Sequence, residues 1–216
     1  MKIIVLTKSK KWHNYCVAGK DVERGGWVRL TSNDRFIHNA IPTDSFCYKD
    51  TGKEIMVGDI ISVDVYKPAH YDITQPENCL VKGDNYKNEG RYKGDFTELE
   101  DCSRTIFYNN YGRISNEDLT KEKDINSLLL IKADIVKFKY NKEKEKIYAN
   151  IKYKGTWYNN IAVTDMEFNE KYGLNIKESG ENGRYLNNIH IVISLGEEYN
   201  GYHYKLVASV LIRKDD

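Results

Sequence analysis

The chain has 216 residues with 40% hydrophobic and 30% charged side chains, enough for a packed core in one larger domain or two small ones, which excludes wholesale disorder. Its 33 Lys and Arg stand against 32 Asp and Glu, and the net charge of +1 argues by itself neither for nor against nucleic acid. No apolar run approaches the length that spans a bilayer.

In chain order, residues 1–6 (MKIIVL) are too short for a signal-peptide core and lack a small-residue cleavage site, so residues 2–7 are predicted as a first strand. Strands follow at 15–21 and 27–31, with Arg24, Gly25 and Gly26 turning one into the other. After an irregular stretch at 36–53, Gly58 and Asp59 introduce an alternating strand at 60–66, and 79–82 reads as a short closing strand. Residues 83–124 are polar and rich in Gly and Asn. They hold two helix starts, Asp95 with Glu98 and Ser115 with Asp118, and read as a connecting segment with short helices.

The last part of the chain carries the clearest pattern. Strands are predicted at 128–139, 147–153 and 157–163, then a helix at 165–172 capped by Thr164 in a box with Glu167 and ended by Gly173, then strands at 189–195 and 204–212. Strand, strand, strand, helix, strand, strand is the element order of an OB-fold barrel. The fold class expected is therefore mainly β: two OB-like β-barrels with short helices, at 1–82 and 125–216, joined by an irregular middle segment at 83–124. The N-terminal barrel lacks the helix at its usual place.

Charge is unevenly spread. Residues 1–30 hold seven Lys or Arg against two acids, and residues 132–158 hold eight lysines against three acids. Two basic zones on a neutral chain fit a localised phosphate-binding surface. Between the first two strands, Lys8, Lys10 and Lys11 offer phosphate attraction, Trp12 a stacking platform, and His13 a further ring or donor. Trp27 and Arg29 share one strand face; with Val28 and Leu30 buried they turn outward and are expected to join the lysine loop in one contiguous patch. In the second barrel, burying Ala149 and Ile151 turns Tyr148, Asn150 and Lys152 outward, and burying Ile161 and Val163 adds Tyr158 and Asn160 to that face. Gln75, Glu77 and Asn78 either bind a base edge or brace the turn that Pro76 marks. Lys205 is a further candidate for a phosphate contact.

The case for an enzyme is thin. The histidines His13, His38, His70, His190 and His203 form no H-x-x-x-H pair, and neither a P-loop nor a dinucleotide fingerprint is present. Ser194 lacks a nucleophile-elbow context, and the nearest His–Cys pair is His70 with Cys79. No catalytic residue, metal or cofactor is assigned. Cys16, Cys47, Cys79 and Cys102 make no C-x-x-C pair, so they read as reduced thiols in a cytoplasmic protein.

Several short blocks together resemble the dual OB-containing domain (DuOB) family of prokaryotic proteins: CVAG at 16–19, GWVR at 26–29, QPEN at 75–78, VTD at 163–165, SLGE at 194–197 and GYHYKLVA at 201–208. They fall in family order and span almost the whole chain. Two positions depart: Tyr15 stands where a basic residue often precedes the cysteine, and Glu198 where a proline often follows SLGE. The resemblance implies two OB-like barrels and a nucleic-acid-binding role, often in phage or mobile-element conflict, and brings no catalytic mechanism.

The expected function is binding of nucleic acid, single-stranded DNA or RNA. Three readings stay open beside it: a binder of a nucleotide-like small molecule between the barrels, a nuclease with a dispersed active site, and a module whose tyrosine-rich faces contact a protein partner.

Overall fold

The apolar run that opens the chain forms β1 (Lys2–Lys11), which turns back onto β2 (Asn14–Asp21), and β3 (Trp27–Thr31) pairs with β2 on its other side. The structure is a computed structural model describing residues 1–67, 72–180 and 182–212, so His70 and Tyr71 lie outside the described residues. Two compact units divide the chain, Met1–Asp95 and Phe96–Asp216.

In the N-terminal unit, β4 (Asp59–Ser62) runs beside β1, and β5 (Val65–Tyr66) pairs with β6 (Asn78–Val81). Only Val63 and Asp64 separate β4 from β5, so one run of chain serves β1 at its start and β6 at its end. β6 runs parallel to β3, and β7 (Lys87–Arg91) adds an edge, giving the order β5-β6-β3-β2-β1-β4-β7 in a half-barrel sheet. A bulge between Val5 and Thr7 brings β1 so close to β2 that a Cβ at Gly19 would run into the Ile4 carbonyl oxygen.

Between β3 and β4 there is no α-helix. This stretch instead lies over the hairpin: Tyr15 and Ile41 exchange backbone hydrogen bonds at 2.9 Å each, and Gly58 donates to the Val5 carbonyl at 2.7 Å. Its own Phe46, Tyr48 and Ile55 are buried, Phe46 edge-on to Tyr15, and β1 is buried on both faces from Ile3 to Ser9.

The C-terminal unit contains β8 (Arg113–Ser115), α1 (Asn116–Leu119), β9 (Leu128–Asn141), β10 (Lys146–Tyr153), β11 (Thr156–Val163), α2 (Met166–Glu178), β12 (Arg184–Tyr199) and β13 (Tyr202–Leu211). The order is β11-β10-β9-β12-β13-β8, and β11 closes the ring by pairing parallel to β13. Both units thus follow the OB strand order, and the second is a closed five-stranded barrel. Its core is drawn from alternate strand positions, among them Val136, Phe138, Ala149, Ile151, Ile191, Ile193 and Val207.

Two details differ from expectation. The cap of α2 is Asp165, whose Oδ1 accepts from the Phe168 N–H at 3.0 Å, while Thr164 donates its hydroxyl to the Val207 carbonyl at 3.2 Å. Nor does Gly173 end the helix, which continues to Glu178 because it buries Ile176 and sets Gly173 against Ile147. The middle segment is divided between the units: Tyr86 packs edge-on to Phe46 in the first, whereas Ile106, Phe107, Ile114 and Leu119 join the second core. Of its helix starts, Asp95 leads only into a 3-10 turn, Phe96–Leu99. Ser115 caps α1, accepting from the Asp118 N–H at 3.0 Å.

Candidate nucleic-acid interface

Because β1 runs on to Lys11, the reversal into β2 is only two residues long. Trp12 and His13 occupy it, both left-handed with φ of 47° and 63°. That is the geometry of a type I′ turn, usually given to Asn-Gly, and L residues with a Cβ pay ~1–2 kcal/mol each to adopt it. Trp12 is 63% exposed, and its indole stacks on His38 with ring centroids 4.5 Å apart and planes 12° from parallel. His38 belongs to a second left-handed pair, with Asn39, after the 3-10 turn Arg35–Ile37. In that turn Asp34 accepts from the Phe36 N–H at 2.9 Å, and the Phe36 ring is left 97% exposed. Lys10 is exposed and Lys11 half-buried; as strand neighbours they lie on opposite faces of the hairpin.

The expected single patch does not form. Lys8 lies within β1 and is buried, its Nζ donating to Glu54 Oε1 at 2.9 Å and to the Ile55 carbonyl at 3.2 Å, because the stretch before β4 covers that face. Arg29 is also buried: Nε and Nη2 both reach Glu77 Oε1, at 3.1 and 2.9 Å, and Nη1 stands 3.5 Å from Cys16 Sγ. Covering β3 on both faces thus overrides the alternation that turned Arg29 outward. Trp27 is half-buried under Lys20, 5.4 Å from the ring centroid. Lys20 stands six positions along β2 from Asn14 at the turn, which is roughly 20 Å at the rise of a strand. Gln75 and Glu77 are buried, and Asn78 donates to Gln75 Oε1 at 3.3 Å, so the contacts of this group are those of a brace beneath Arg29.

In the second unit the outer face of β12, β9, β10 and β11 is open. Lys152 is in register with Trp157, Asn150 with Lys137, Lys137 in turn with Tyr185, and Tyr148 with Lys139. Trp157 and Tyr185 are exposed, and Tyr148, Asn150 and Lys152 are half-buried. Lys137 Nζ lies 4.6 Å from the Tyr185 ring centroid, and Lys144, in the loop between β9 and β10, lies 5.7 Å from that of Tyr148. Cations and aromatic rings therefore alternate across the sheet.

Tyr158 is not part of this face. It is fully buried, and its hydroxyl accepts from the Ile106 N–H at 3.1 Å. The cause is a bulge: Ala149 pairs with Ile161 but Ile151 with Tyr158, leaving Asn159 and Asn160 opposite Asn150. Asn160 has a φ of 58° and donates its N–H to Asn150 Oδ1 at 2.9 Å. The extra residue reverses the in–out phase, turning Tyr158 in and Trp157 out.

Lys205 is buried as well, donating to the Asn109 carbonyl and Oδ1 at 2.6 and 3.0 Å, and burial lowers its amine to a pKa of about 7. Asp165 is its acidic counterpart. Burial pushes its carboxyl up to about 6, against the opposing pull of the Phe168 and Val210 N–H donors. Among the described residues no group of three or more His, Cys, Asp or Glu could hold a metal ion. Nor is any helix among them long and apolar enough to cross a membrane.

Strand order and closure define a protein with two OB-type units. The chain belongs to the dual OB-containing domain family, whose model matches residues 1–210. Nothing among curated proteins or solved structures matches it.

Proposed function

We propose that the protein binds single-stranded DNA or RNA in the cytoplasm, where its four free cysteines stay reduced. The strand runs over the outer face of β9–β12, and the hairpin tip of the N-terminal unit offers a separate contact of the same chemistry. The observation that carries this reading is the register of that face, in which Lys137, Lys139 and Lys152 alternate with Tyr148, Trp157 and Tyr185. Ring faces stack on bases of any sequence while the amines take phosphates, and in OB folds the second and third strands supply such a face. At the hairpin tip Lys10, Lys11, Trp12 and His13 supply the same two chemistries; Lys8, Arg29, Tyr158 and Lys205 are structural.

Fluorescence anisotropy with a labelled single-stranded oligonucleotide, over a salt series, tests this. Affinity falls with salt by about 0.7 log units per log unit for each phosphate neutralised. Trp157→Ala weakens binding by ~1–3 kcal/mol with little change of slope. Undiminished binding by a Tyr148, Lys152 and Trp157 triple alanine variant, or salt-independent affinity, overturns the reading.

A further inference from the structure

The β1–β2 hairpin differs in shape from the face of the second barrel. It is two strands wide, about 5 Å between strand axes, and its ladder persists to Lys11 and Asn14, so it ends in a blade with Trp12 and His13 at the edge. We propose that this hairpin is a wedge that caps the last base pair where a single strand joins a duplex, an assignment that rests on the nucleic-acid reading above.

Three observations point there. First, the indole is backed by His38, nearly parallel at 4.5 Å, and yet stays 63% exposed. A base pair set on the indole therefore continues a stack that begins within the protein. A terminal base pair is the nucleic-acid element that presents one broad, flat face needing such cover, whereas bases in a run are covered by their neighbours. Second, Lys10 and Lys11 lie on opposite faces of the blade, one toward each of the two backbones that part at a junction. Arg35 adds a third cation on the neighbouring loop, where the adjacent acid, Asp34, accepts from the Phe36 N–H. Third, the aromatic residues are held there against backbone preference: Trp12, His13 and His38 are all left-handed, with φ from 47° to 63°. A tip serving only as a turn would be expected to carry Asn-Gly, and strain of this kind gathers where side chains have work to do.

The test uses the full chain and three probes: a labelled single strand, the same strand annealed to leave that overhang beside a short duplex, and a blunt duplex. A second set carries 2-aminopurine in the terminal pair. The junction is expected to bind about tenfold tighter than the strand alone, the worth of one stacked base, with 2-aminopurine quenched. Trp12→Ala removes the preference and the quench, weakening junction binding about tenfold more than it weakens single-strand binding, and Trp12→Phe restores most of both. If thermal melting shows Trp12→Ala to be misfolded, His38→Ala, which removes the ring behind the indole, takes its place. Equal affinity for junction and strand overturns the wedge, as does a Trp12→Ala loss that is the same for both. Phosphatidylserine vesicles that bind through Trp12 and Phe36, without any junction preference, would overturn it in favour of a membrane. Failure to bind the single strand at all sinks the broader reading, whereas Trp12-dependent junction binding would stand without it.

Discussion

In the N-terminal unit the chain between β3 and β4 lies across β1 and β2, while in the C-terminal unit the equivalent chain is α2, which sends Phe168 and Ile176 into the barrel core. The strand order is shared, but the outer faces are not. One is covered, with Arg29 closed in beside Glu77 and the buried Lys8 amine reaching out to the exposed Glu54; the other stays open, with its lysines set among aromatic rings. Strand order thus decides which residues are neighbours, and the segments that cross the sheet, the β3–β4 stretch over Lys8 and the turn before β6 against Arg29, decide which of them meet solvent.

The comparison breaks most readily at the covered face. Arg29→Ala should cost ~3–5 kcal/mol, measured by urea unfolding, because it strands the Glu77 carboxylate in the interior. Exchanging Arg29 and Glu77 together for Met and Leu should cost far less. Equal losses from the single and double variants would mean that the stranded charge is not what the interior resists.

The second unit instead buries charges singly, which predicts a response to pH. Asp165 has a folded-state pKa of about 6 against the ordinary 3.8, so its contribution is fully present below 3.8 and is lost as pH rises through about 6. For Lys205 the shift is opposite, from 10.5 to about 7. Across that window the unfolded chain holds a proton that the folded amine lacks, so stability rises from about pH 7 to 10.5. Unfolding midpoints measured over pH should lose the first trend in Asp165→Asn and the second in Lys205→Met. Persistence of either trend would place its source elsewhere. At the cap itself, Asp165→Ala should cost ~1–2 kcal/mol and Thr164→Ala less.

The smallest effect separates the two faces by salt. Lys152→Ala should flatten the log–log salt dependence of single-strand binding by about 0.7, while Lys8→Met should leave it unchanged. A flatter slope in the Lys8 variant would show that the cover over β1 opens to ligand.

Much of the fold was legible because strand alternation is local. The strand at 27–31 and the C-terminal element order appear where the sequence puts them. Alternation separates two faces but does not say which of them another segment will cover, and on that point Arg29 goes astray; Lys8, read as part of the loop between strands, goes astray because β1 runs on past it to Lys11. It also assumes an unbroken phase. One left-handed residue, Asn160, exchanges Trp157 and Tyr158, and nothing in the residues 157–163 announces it. Phe36 and His38 sit in an irregular stretch without periodicity. The one signal that could have found them is the exposed ring of Trp12, which needs a companion, and His38 becomes its neighbour only once Tyr15 is paired with Ile41.

The seam of the closed barrel also bears on how it assembles. β11 and β13 meet through only two register pairs, Ala162 with Leu206 and Val163 with Val207, between residues more than forty positions apart. The hairpins β9–β10–β11 and β12–β13 can each form from near neighbours, whereas the seam must wait until α2 and β12 are in place and must bear the entropy of closing that long loop. Closure is therefore a late step. Substitutions along it, at Val163 or Val207, should act chiefly by hastening unfolding, with little change in the rate at which the chain folds.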